Sequence, residues 1–389
     1  MPSYDVAVVG LGAMGSAALY AAAGRGQRVI GFDRFEPAHS TSSSFGESRV
    51  IRLAYFEDPS YVPLLRGAYR AWREFEAATG EKILTITGII EAGDPGAALV
   101  EGSIRSAQEH DLSHELLSPQ QVNLRFPAFN LPVSWTCVFQ PDGGVLLAEK
   151  AVGLFVSTAR VLGATVRLNA PVLDVQPAGD GVKLRLGSGE VIEAGSAIVA
   201  PGPWIRDLMP GLGGHLKLTR QPLLWFNPVD EVLTRPDRMP VFFFQSDGHL
   251  TYGLPNICGS GVKAASHLSG GDLVSADESR AKVSDDEKAS LRAILRRYVP
   301  AAAGEASRTS LCVYTRSPDE HFVLGLHPEA PQIVLASPCS GHGFKFASII
   351  GEILADLAID RNTRWPIGRF KPDRVLSGTK FLQSGSFTD

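Results

Sequence analysis

A glycine fingerprint near the N-terminus constrains the fold more than any other stretch of the chain. The apolar run of residues 6–9 is typical of a strand buried on both faces, and Gly10, Gly12 and Gly15 follow it with the spacing G-x-G-x-x-G. In such a turn the first glycine allows the tight bend and the second lets backbone approach a pyrophosphate. The third lets the following helix pack closely on the sheet. The stretch therefore predicts a strand, a turn and a helix that bind a dinucleotide.

A second predicted strand, residues 28–32, ends at Asp33, where a carboxylate can hydrogen-bond a ribose hydroxyl. An acid at this position argues against a ribose 2′-phosphate. The unpaired N–H groups at the start of the helix would bind the phosphates. Because NAD and FAD can both be held in this way, the fingerprint alone leaves the two cofactors open.

Length and composition bound the remaining possibilities. At 389 residues the chain exceeds what one hydrophobic core usually supports, so two domains are expected. The net charge of −4 provides no basic field for nucleic acid or an anionic membrane. Four widely spaced cysteines include no C-x-x-C pair, so we expect neither a metal site nor a disulfide framework, and a reducing compartment is favoured. With no leader-like segment before Tyr4 and no membrane-length apolar run, we expect a soluble, cytoplasmic protein.

The middle of the chain does not repeat one strand–helix unit. Between residues 82 and 139 strand-like runs, 83–92 and 135–139, alternate with a helical run, which indicates an inserted part of a second domain. A buried strand at 197–200, closed by Gly202, would return the chain to the first sheet and bring backbone close to the cofactor. Residues 191–192 form a separate short predicted strand. Residues 242–244 begin another, and 249–254 are its hairpin partner across the turn at Asp247–Gly248. The charged stretch 272–297 is interpreted as a solvated helix.

Basic residues at short spacings are candidates for the site. Arg49 and Arg52 are three apart and are expected on neighbouring turns of a helix, facing one side. The simplest interpretation is a solvated basic face, but the preceding Ser/Gly-rich loop follows the ribose-binding strand and could reach back over a cofactor. Lys263 and His267 are four apart and share a face whether the segment is helical or extended.

Two segments near the C-terminus favour a flavin over a nicotinamide. Cys312 and Tyr314 are two apart in a predicted strand and therefore project from one face. Residues 334–337 form a strand that runs into the glycine-rich turn 339–343 and then a helix. This second strand–turn–helix unit presents a second positive helix end, as a dinucleotide with two aromatic halves requires.

Several motifs recur in order along nearly the whole chain. They are the fingerprint with Asp33, GESRVIRLAY at 46–55, YVP at 61–63, YGLP at 252–255, Lys263 with His267, CVYT at 312–315, SPDEHF at 317–322 and SGHGFKF at 340–346. Together they resemble the monomeric sarcosine oxidase and N-methyltryptophan oxidase family of flavoproteins. The resemblance implies an α/β fold with a glutathione-reductase-type, Rossmann-like FAD-binding domain and an α+β substrate domain built on a mixed or antiparallel sheet. The FAD domain would comprise residues 1–84, 146–220 and 317–389, and the substrate domain residues 85–145 and 221–316.

The same resemblance implies FAD, attached through its 8α-methyl carbon to the sulfur of Cys312. A thiolate near the methyl edge of the flavin could make this bond. The cofactor-binding residues implied are Gly10, Gly12, Ala13, Met14, Gly15, Asp33, Arg34, Ser42, Ser43, Arg49, Val172, Gly202, Trp204, Cys312, Gly341, His342, Gly343, Phe344 and Lys345.

The implied reaction oxidises the C–N bond of a secondary amino acid to an imine that water hydrolyses, with O2 reduced to H2O2. Arg52 and Lys345 would hold the substrate carboxylate, and Lys263 would assist electron transfer to O2. The other implied roles are substrate contacts by Tyr55, Phe243 and Tyr252 and catalytic roles for Arg49, His267 and Tyr314. The partners expected are a small secondary amino acid and O2, with the chain acting as a monomer.

Three departures from the family pattern leave substrate size open. Pro338-Cys339 precedes the last motif, Phe243 stands in place of a methionine, and Pro201-Gly-Pro203 is more rigid than an alanine–glycine turn. Sarcosine, N-methyltryptophan, other N-methyl amino acids and cyclic imino acids such as proline or pipecolate all stay open. Other hypotheses are an FAD-dependent dehydrogenase or oxidase of a larger cyclic imino acid without N-demethylation, a nicotinamide-dependent dehydrogenase and a non-enzymatic dinucleotide sensor.

Overall fold

The fold is taken from a computed structural model that describes residues 3–278 and 282–376. The strands are β1 (Tyr4–Val9), β2 (Val29–Phe32), β3 (Ser48–Ile51), β4 (Leu84–Ile86), β5 (Ile89–Gly93), β6 (Glu115–Leu117), β7 (Thr136–Gln140), β8 (Gly144–Leu147), β9 (Thr165–Arg167), β10 (Val172–Ala178), β11 (Gly181–Leu186), β12 (Val191–Val199), β13 (Lys217–Phe226), β14 (Val241–Ser246), β15 (His249–Leu254), β16 (Val262–Ser266), β17 (Asp272–Leu273), β18 (Ala306–Arg316), β19 (Val323–Leu326) and β20 (Ile333–Ser337). The helices are α1 (Ala13–Ala23), α2 (Val62–Thr79), α3 (Ala98–Glu109), α4 (Pro119–Arg125), α5 (Ala148–Val161), α6 (Ile205–Leu208), α7 (Pro210–Gly213), α8 (Asp285–Tyr298), α9 (Ala347–Asp360) and α10 (Asp373–Leu376).

The first sheet has a parallel centre. Strand β1 lies between β2 and β12, β2 also pairs with β9, and β12 pairs with β20, all in parallel. The apolar run of β1 is buried because helices α1, α5 and α9 cover one face and the segment around α6 and α7 covers the other. The two separate strands expected at 191–192 and 197–200 are one strand, β12, whose first half pairs antiparallel with β11. This sheet confirms the predicted α/β class.

The fingerprint forms the predicted turn between β1 and α1. Gly10 has a φ of +85°, and a Cβ there would lie 2.6 Å from the carbonyl oxygen of Ala200. A Cβ on Gly15 would lie 1.8 Å from the carbonyl oxygen of Gly10, so only glycine permits this approach of helix to strand. Helix α1 also packs closely on α9, where a Cβ on Gly351 would meet the backbone of Ala17 at 2.6 Å.

The second sheet is mixed and carries its own core. Its order is β17-β13-β16-β15-β14-β5-β7-β6, with β18 also paired to β13. Strands β14 and β5 are parallel, and the other neighbours are antiparallel. The predicted hairpin of β14 and β15 turns at Asp247–Gly248. A cluster that includes Trp135, Phe242 and Tyr298 packs between this sheet and α8.

The structure departs from three local expectations. The segment with Arg49 is not helical: it is β3, which pairs with β8 in a small third sheet, and Arg52 follows the strand directly. The strand-like run 83–92 is divided into β4 in the third sheet and β5 in the second. The charged stretch 272–297 is helical only from Asp285, after an N-cap at Ser284, and its residues 279–281 lie outside the described residues.

The strands of the first sheet lie within the segments that the sequence assigns to the FAD domain. Strand β13 crosses the proposed boundary between residues 220 and 221, and residues 1–2 and 377–389 lie outside the described ranges. The division into domains therefore stays a proposal. Among the described residues, no helix combines the length and apolar character needed to cross a membrane.

Candidate active site

A cavity of about 320 Å3 lies where the first and second sheets meet. Its wall includes the carboxyl ends of β1, β2 and β20 and the residues just after β12, which is where open α/β sheets bind ligands. Strands β14, β15 and β18 of the second sheet supply the opposite wall. The cavity therefore joins the fingerprint to both C-terminal motifs.

Asp33 lies at the expected position at the end of β2. Its carboxylate accepts hydrogen bonds from the backbone N–H of Leu11, at 2.6 Å, and of Phe35, at 3.0 Å. Burial raises the pKa of Asp33, and these N–H donors oppose the shift. The side chain lines the cavity beside Gly12, so it can also reach a ribose hydroxyl.

The cavity fits the FAD that the resemblance implies. Gly12 lines it with no atom within 4 Å of a Cβ position, which leaves room for a pyrophosphate against the backbone. Gly202 is similarly open and has a φ of +60°. At the far end, Gly341 approaches the rings of Tyr314 and His267 so closely that a Cβ would lie 2.8 and 2.9 Å from them. A bound dinucleotide could therefore approach the backbone closely at Gly12 and at Gly202.

The cavity collects nearly all of the residues predicted from the sequence. Those that line it are Gly10, Gly12, Ala13, Met14, Asp33, Arg34, Ser42, Ser43, Arg49, Arg52, Val172, Gly202, Trp204, Phe243, Tyr252, His267, Cys312, Tyr314, Gly341, His342, Gly343, Phe344 and Lys345. Gly15, Tyr55 and Lys263 do not line it. Gly15 lies under the turn, whereas Tyr55 and Lys263 are buried directly behind lining residues.

Cys312 is buried in the cavity wall next to a guanidinium group. Its Sγ lies 3.1 Å from the carbonyl oxygen of Ser43 and 3.8 Å from Nη2 of Arg49. Arg49 is held in turn by the backbone carbonyl oxygens of Ser43, Phe45 and Ser48, at 2.7 to 2.8 Å. The loop before β3 therefore fixes a cation beside the thiol.

Lys263 lies on β16, with its ammonium group behind Arg49. Its Nζ donates to the carbonyl oxygens of Gly46, at 2.7 Å, and Ser48, at 2.6 Å, and lies 5.3 Å from the centre of the Trp225 ring. Burial, and then the charge of Arg49, lower the pKa of Lys263 well below its usual value. Two backbone acceptors therefore hold in place an amine whose charged form burial disfavours.

Arg52 has two carboxylate partners although its side chain is almost completely buried. Nη2 lies 2.5 Å from Oε2 of Glu57, and Nε lies 3.2 Å from Oε1 of Glu91. The guanidinium also stacks over the rings of Tyr55 and Phe243, at 4.7 and 4.8 Å. Burial opposes charge on Glu57, but Arg52, His342 and Lys345 together outweigh burial and lower the pKa of Glu57. The cavity therefore holds an ion pair at its wall.

Lys345 belongs to a hydrogen-bonded chain. Its Nζ donates to the carbonyl oxygen of His342 at 2.8 Å and to the hydroxyl of Tyr55 at 3.3 Å. The Tyr55 hydroxyl lies 2.6 Å from Nδ1 of His342, whose Nε2 lies 3.0 Å from the carbonyl oxygen of Glu320. Burial, and then Arg52, lower the pKa of Lys345 to about 7. Tyr55 therefore positions Lys345 from behind.

Aromatic side chains close the part of the cavity near Arg52. Phe243 and Tyr252 stack with ring centres 5.4 Å apart, and His267 lies 5.6 Å from Tyr314. Burial raises the pKa of both Tyr252 and Tyr314, so their hydroxyls stay neutral at physiological pH. These walls exclude water from the space next to Arg52.

Sequence analysis did not predict the two acids that contact Arg52, Glu57 and Glu91, or some of the other residues that line the cavity. Glu57 and Phe56 follow the Arg52 motif within five residues, and that proximity is the signal that could have indicated them. Cys339, which the sequence marked as a departure from the family pattern, also lines the cavity. Glu91 gives no signal in the sequence, because a single acid in a strand is normally solvated. Within residues 3–278 and 282–376, no group of three His, Cys, Asp or Glu side chains could hold a metal ion.

Comparison with known proteins identifies relatives over nearly the whole chain. Residues 5–357 match the model of the DAO family, FAD dependent oxidoreductase. Monomeric sarcosine oxidase of Streptomyces avermitilis is 37% identical over 382 residues, which cover 97% of this chain and 99% of that protein. N-methyl-L-tryptophan oxidase of Yersinia pestis is 32% identical over 370 residues, with 94% and 98% covered.

Solved structures share the fold. NikD, an unusual amino acid oxidase essential for nikkomycin biosynthesis, superposes with a TM-score of 0.85 at 25% identity, covering 96% of this chain and 98% of that one. L-proline dehydrogenase from P. horikoshii superposes with a TM-score of 0.82 at 18% identity, covering 97% and 99%. The arrangement of sheets described above is therefore a recurrent one.

Proposed function

The chain belongs to the DAO family of FAD-dependent oxidoreductases, and on that premise we propose that it is an oxidase of secondary amino acids, in particular N-methyl amino acids. The observation that carries the proposal is the pair of cations, Arg52 and Lys345, in the wall of the cavity that also contains Cys312. The names of the two groups of relatives, sarcosine oxidase and N-methyltryptophan oxidase, support it.

Arg52 and Lys345 provide the anchor for a substrate carboxylate. Both side chains are nearly inaccessible to solvent, so their attraction for an anion is less screened than at the surface. Nη1 of Arg52 has no hydrogen bond to any described residue, whereas Nη2 and Nε face Glu57 and Glu91. A substrate carboxylate can bind Nη1 without displacing another group, and it can bind Nη2 by taking the position that Glu57 occupies.

The walls place the rest of the substrate. Phe243 and Tyr252 form one apolar side, while His267 and Tyr314 lie next to Gly341. Burial lowers the pKa of His267, so its imidazole is neutral at physiological pH and adds no charge near the amine. When bound, FAD supplies the two-electron acceptor for the carbon next to the amine and the donor for O2. The protein's task is to orient the substrate and to keep water out.

We propose that Cys312 attaches the flavin. The bond would join Sγ to the 8α carbon, with loss of the thiol proton and one methyl hydrogen, and the two electrons released would go to O2. Arg49, whose Nη2 lies 3.8 Å from Sγ, places a positive charge beside the sulfur that would form the bond.

Lys263 would assist the reduction of O2. A positive charge stabilises developing superoxide, and the two carbonyl acceptors hold the ammonium directly behind Arg49.

The balanced reaction for an N-methyl substrate converts the amino acid, O2 and water into the demethylated amino acid, formaldehyde and H2O2.

A substrate panel tests this proposal. The purified protein would be assayed for H2O2 with sarcosine, N-methyl-L-tryptophan, other N-methyl amino acids, proline and pipecolate. We expect N-methyl amino acids to give H2O2 and formaldehyde in equal amounts. If only cyclic imino acids gave H2O2, and no formaldehyde formed, the protein would instead be an oxidase of cyclic imino acids. No H2O2 with any member of the panel would contradict the oxidase proposal.

The assembly state is a separate proposal. We propose that the chain acts as a monomer, which the description of its sarcosine oxidase relatives as monomeric supports. Light scattering coupled to size-exclusion chromatography tests it, with a mass of 41.6 kDa for the polypeptide expected.

A further inference from the structure

A second carboxylate lies directly behind the arginine that would bind the substrate. Glu91 on β5 has no exposed surface and does not line the cavity. Its Oε1 lies 3.2 Å from Nε of Arg52, and its Oε2 accepts a hydrogen bond of 2.5 Å from Nε2 of Gln140. Neither Nε of Arg52 nor Oε1 of Glu91 has a hydrogen-bond partner among the described residues. The contact between Glu91 and Arg52 is therefore an ion pair without a well-aligned hydrogen bond.

The sheet fixes Glu91 in place. It pairs with Phe243 on β14 and with Val138 on β7, so its backbone is hydrogen-bonded into the sheet on both sides. The Phe243 ring projects from the same face and packs under the guanidinium of Arg52. Glu57, in contrast, lies in the segment after β3 and has a side chain that is 22% exposed. Of the two acids, only Glu57 can leave Arg52.

An incoming carboxylate would disturb the charge balance of this cluster. Arg52 and Lys345 provide the positive charges, and Glu57 and Glu91 the negative ones. A substrate carboxylate adds a third acid in a space with little solvent screening, where uncompensated charge is costly. Glu57 can relieve part of the repulsion by moving out. Glu91 cannot move, and protonation is the way in which it can respond.

We propose that Glu91 is a positioning residue for Arg52 and that it takes up a proton when the carboxylate of an amino-acid substrate binds. The inference rests on the proposed function, since it requires Arg52 to bind that carboxylate. Between turnovers Glu91 would hold the guanidinium in place as an anion. With substrate bound it would be a neutral hydrogen-bonding group, so that Arg52 directs its full charge to the substrate.

The electrostatics around Glu91 agree with such a role. Burial raises the pKa of Glu91 to about 7, with Arg52 opposing the shift and Glu57 adding to it. The hydrogen bond from Gln140 on β7 also opposes it. A bound carboxylate would raise this pKa further. Substrate would then bind most tightly below neutral pH, where Glu91 is already protonated. The affinity would fall as the pH rises above the pKa of about 7 that Glu91 has in the free enzyme.

Lys345 is the second group that could take up a proton, because its pKa is also lowered to about 7. The test must therefore separate Glu91 from Lys345 and from Glu57. A carboxylate that the enzyme cannot oxidise is the suitable probe, because binding can then be measured without turnover. Methoxyacetate has an ether oxygen in place of the amine of sarcosine, and methoxyacetamide is its uncharged counterpart.

The experiment titrates the holoenzyme with methoxyacetate and follows flavin absorbance. Calorimetry at about pH 8 in buffers of different ionisation enthalpy gives the protons taken up. We expect Glu91→Gln to lower the uptake by about one proton and to flatten the rise in Kd above neutral pH, which for one group is about tenfold per pH unit in the wild type. Glu57→Gln, the matched change at the cavity wall, should leave the number of protons taken up unchanged. Methoxyacetamide, which has no carboxylate, should bind without proton uptake.

An infrared measurement on the wild type makes the test independent of how well E91Q folds. Methoxyacetate should produce a protonated-carboxyl C=O band that shifts in D2O and persists in E57Q. The role of Glu91 would be overturned if proton uptake were unchanged in E91Q or if the band were absent in the wild type. It would also be overturned if E57Q lost the proton uptake or the band. Binding without proton uptake would contradict this inference alone. A failure of methoxyacetate to bind would contradict the carboxylate anchor of the proposed function as well.

Discussion

Arg52 shows how much depends on a single buried charge. Its guanidinium lies against two carboxylates and three aromatic rings, and its side chain lines the cavity. Removing one partner of a buried, hydrogen-bonded charge pair typically costs about 2–5 kcal/mol, because the other partner is left without a counter-ion. Arg52 therefore affects both the stability of the wall and the binding of a carboxylate.

Arg52→Ala should raise the KM for N-methyl amino acids by about a hundredfold or more, because the anchor contributes binding energy in this range. Uncharged secondary amines should be affected far less, since they have no carboxylate to lose. Steady-state H2O2 assays with both classes check this prediction. Arg66→Ala, at an exposed arginine of α2, is the control. Equal damage to both substrate classes would remove the carboxylate role of Arg52.

Lys263→Met should separate the two half-reactions. Methionine has an unbranched side chain of similar length but lacks the ammonium that lies over the Trp225 ring and that the carbonyl oxygens of Gly46 and Ser48 hold. Stopped-flow measurement should show nearly unchanged reduction of the enzyme by substrate and reoxidation by air slowed by about a hundredfold or more, as for loss of an electrostatic donor.

The pH dependence provides a second check on Lys263. Its pKa is lowered by burial, and the protonated form is the active one in this proposal. Wild-type reoxidation should therefore slow as the pH rises through that lowered pKa, and reoxidation of K263M should not follow this titration. A comparable loss in both half-reactions of K263M would contradict the proposed role.

At the level of elements, the packing of α1 on α9 holds the cofactor-binding turn against the sheet. Gly351 allows this packing, because a Cβ there would lie 2.6 to 2.7 Å from Ala17. Gly351→Ala should lower the free energy of unfolding by about 1–3 kcal/mol, the usual cost of overpacking a core.

The control for this change is Gly153→Ala in α5, where no atom lies within 4 Å of the added Cβ. Alanine in an open helix interior should leave stability unchanged or raise it by about 0.5–1 kcal/mol. Thermal unfolding of the two variants measures the contrast. If G351A were as stable as G153A, the close contact between α1 and α9 would not constrain the fold.

For the molecule as a whole, the proposed bond to Cys312 makes the cofactor part of the polypeptide. A covalent flavin cannot dissociate, so wild-type Tm should not depend on added FAD. Cys312→Ser should make Tm rise with FAD concentration, with a stabilisation of about 2.7 kcal/mol at a hundred times Kd. Acid precipitation provides the direct comparison, since the wild-type pellet should be yellow and the C312S pellet colourless. A colourless wild-type pellet would refute the bond.

Sequence patterns predicted the parts of this protein that local chemistry decides. The β1 fingerprint, the hairpin at Asp247–Gly248 and the strand–turn–helix around Gly341 form as expected, because glycine spacing and apolar runs act over a few residues. The family resemblance, rather than these local patterns, named about half of the residues that line the cavity.

Tertiary structure decided what depends on partners distant in the chain. The spacing of Arg49 and Arg52 suggested a helix, but pairing with β8, about a hundred residues later, makes this segment a strand. Glu91 became a buried counter-ion only because β5 lies between β14 and β7, where Arg52 and Gln140 reach it. The sequence by itself determined the fold class, the glycine fingerprint and about half of the residues that line the cavity. The charge balance in the cavity was set by long-range packing, because burial and neighbouring charges fix the protonation of an acid, and neither can be read from its place in the sequence.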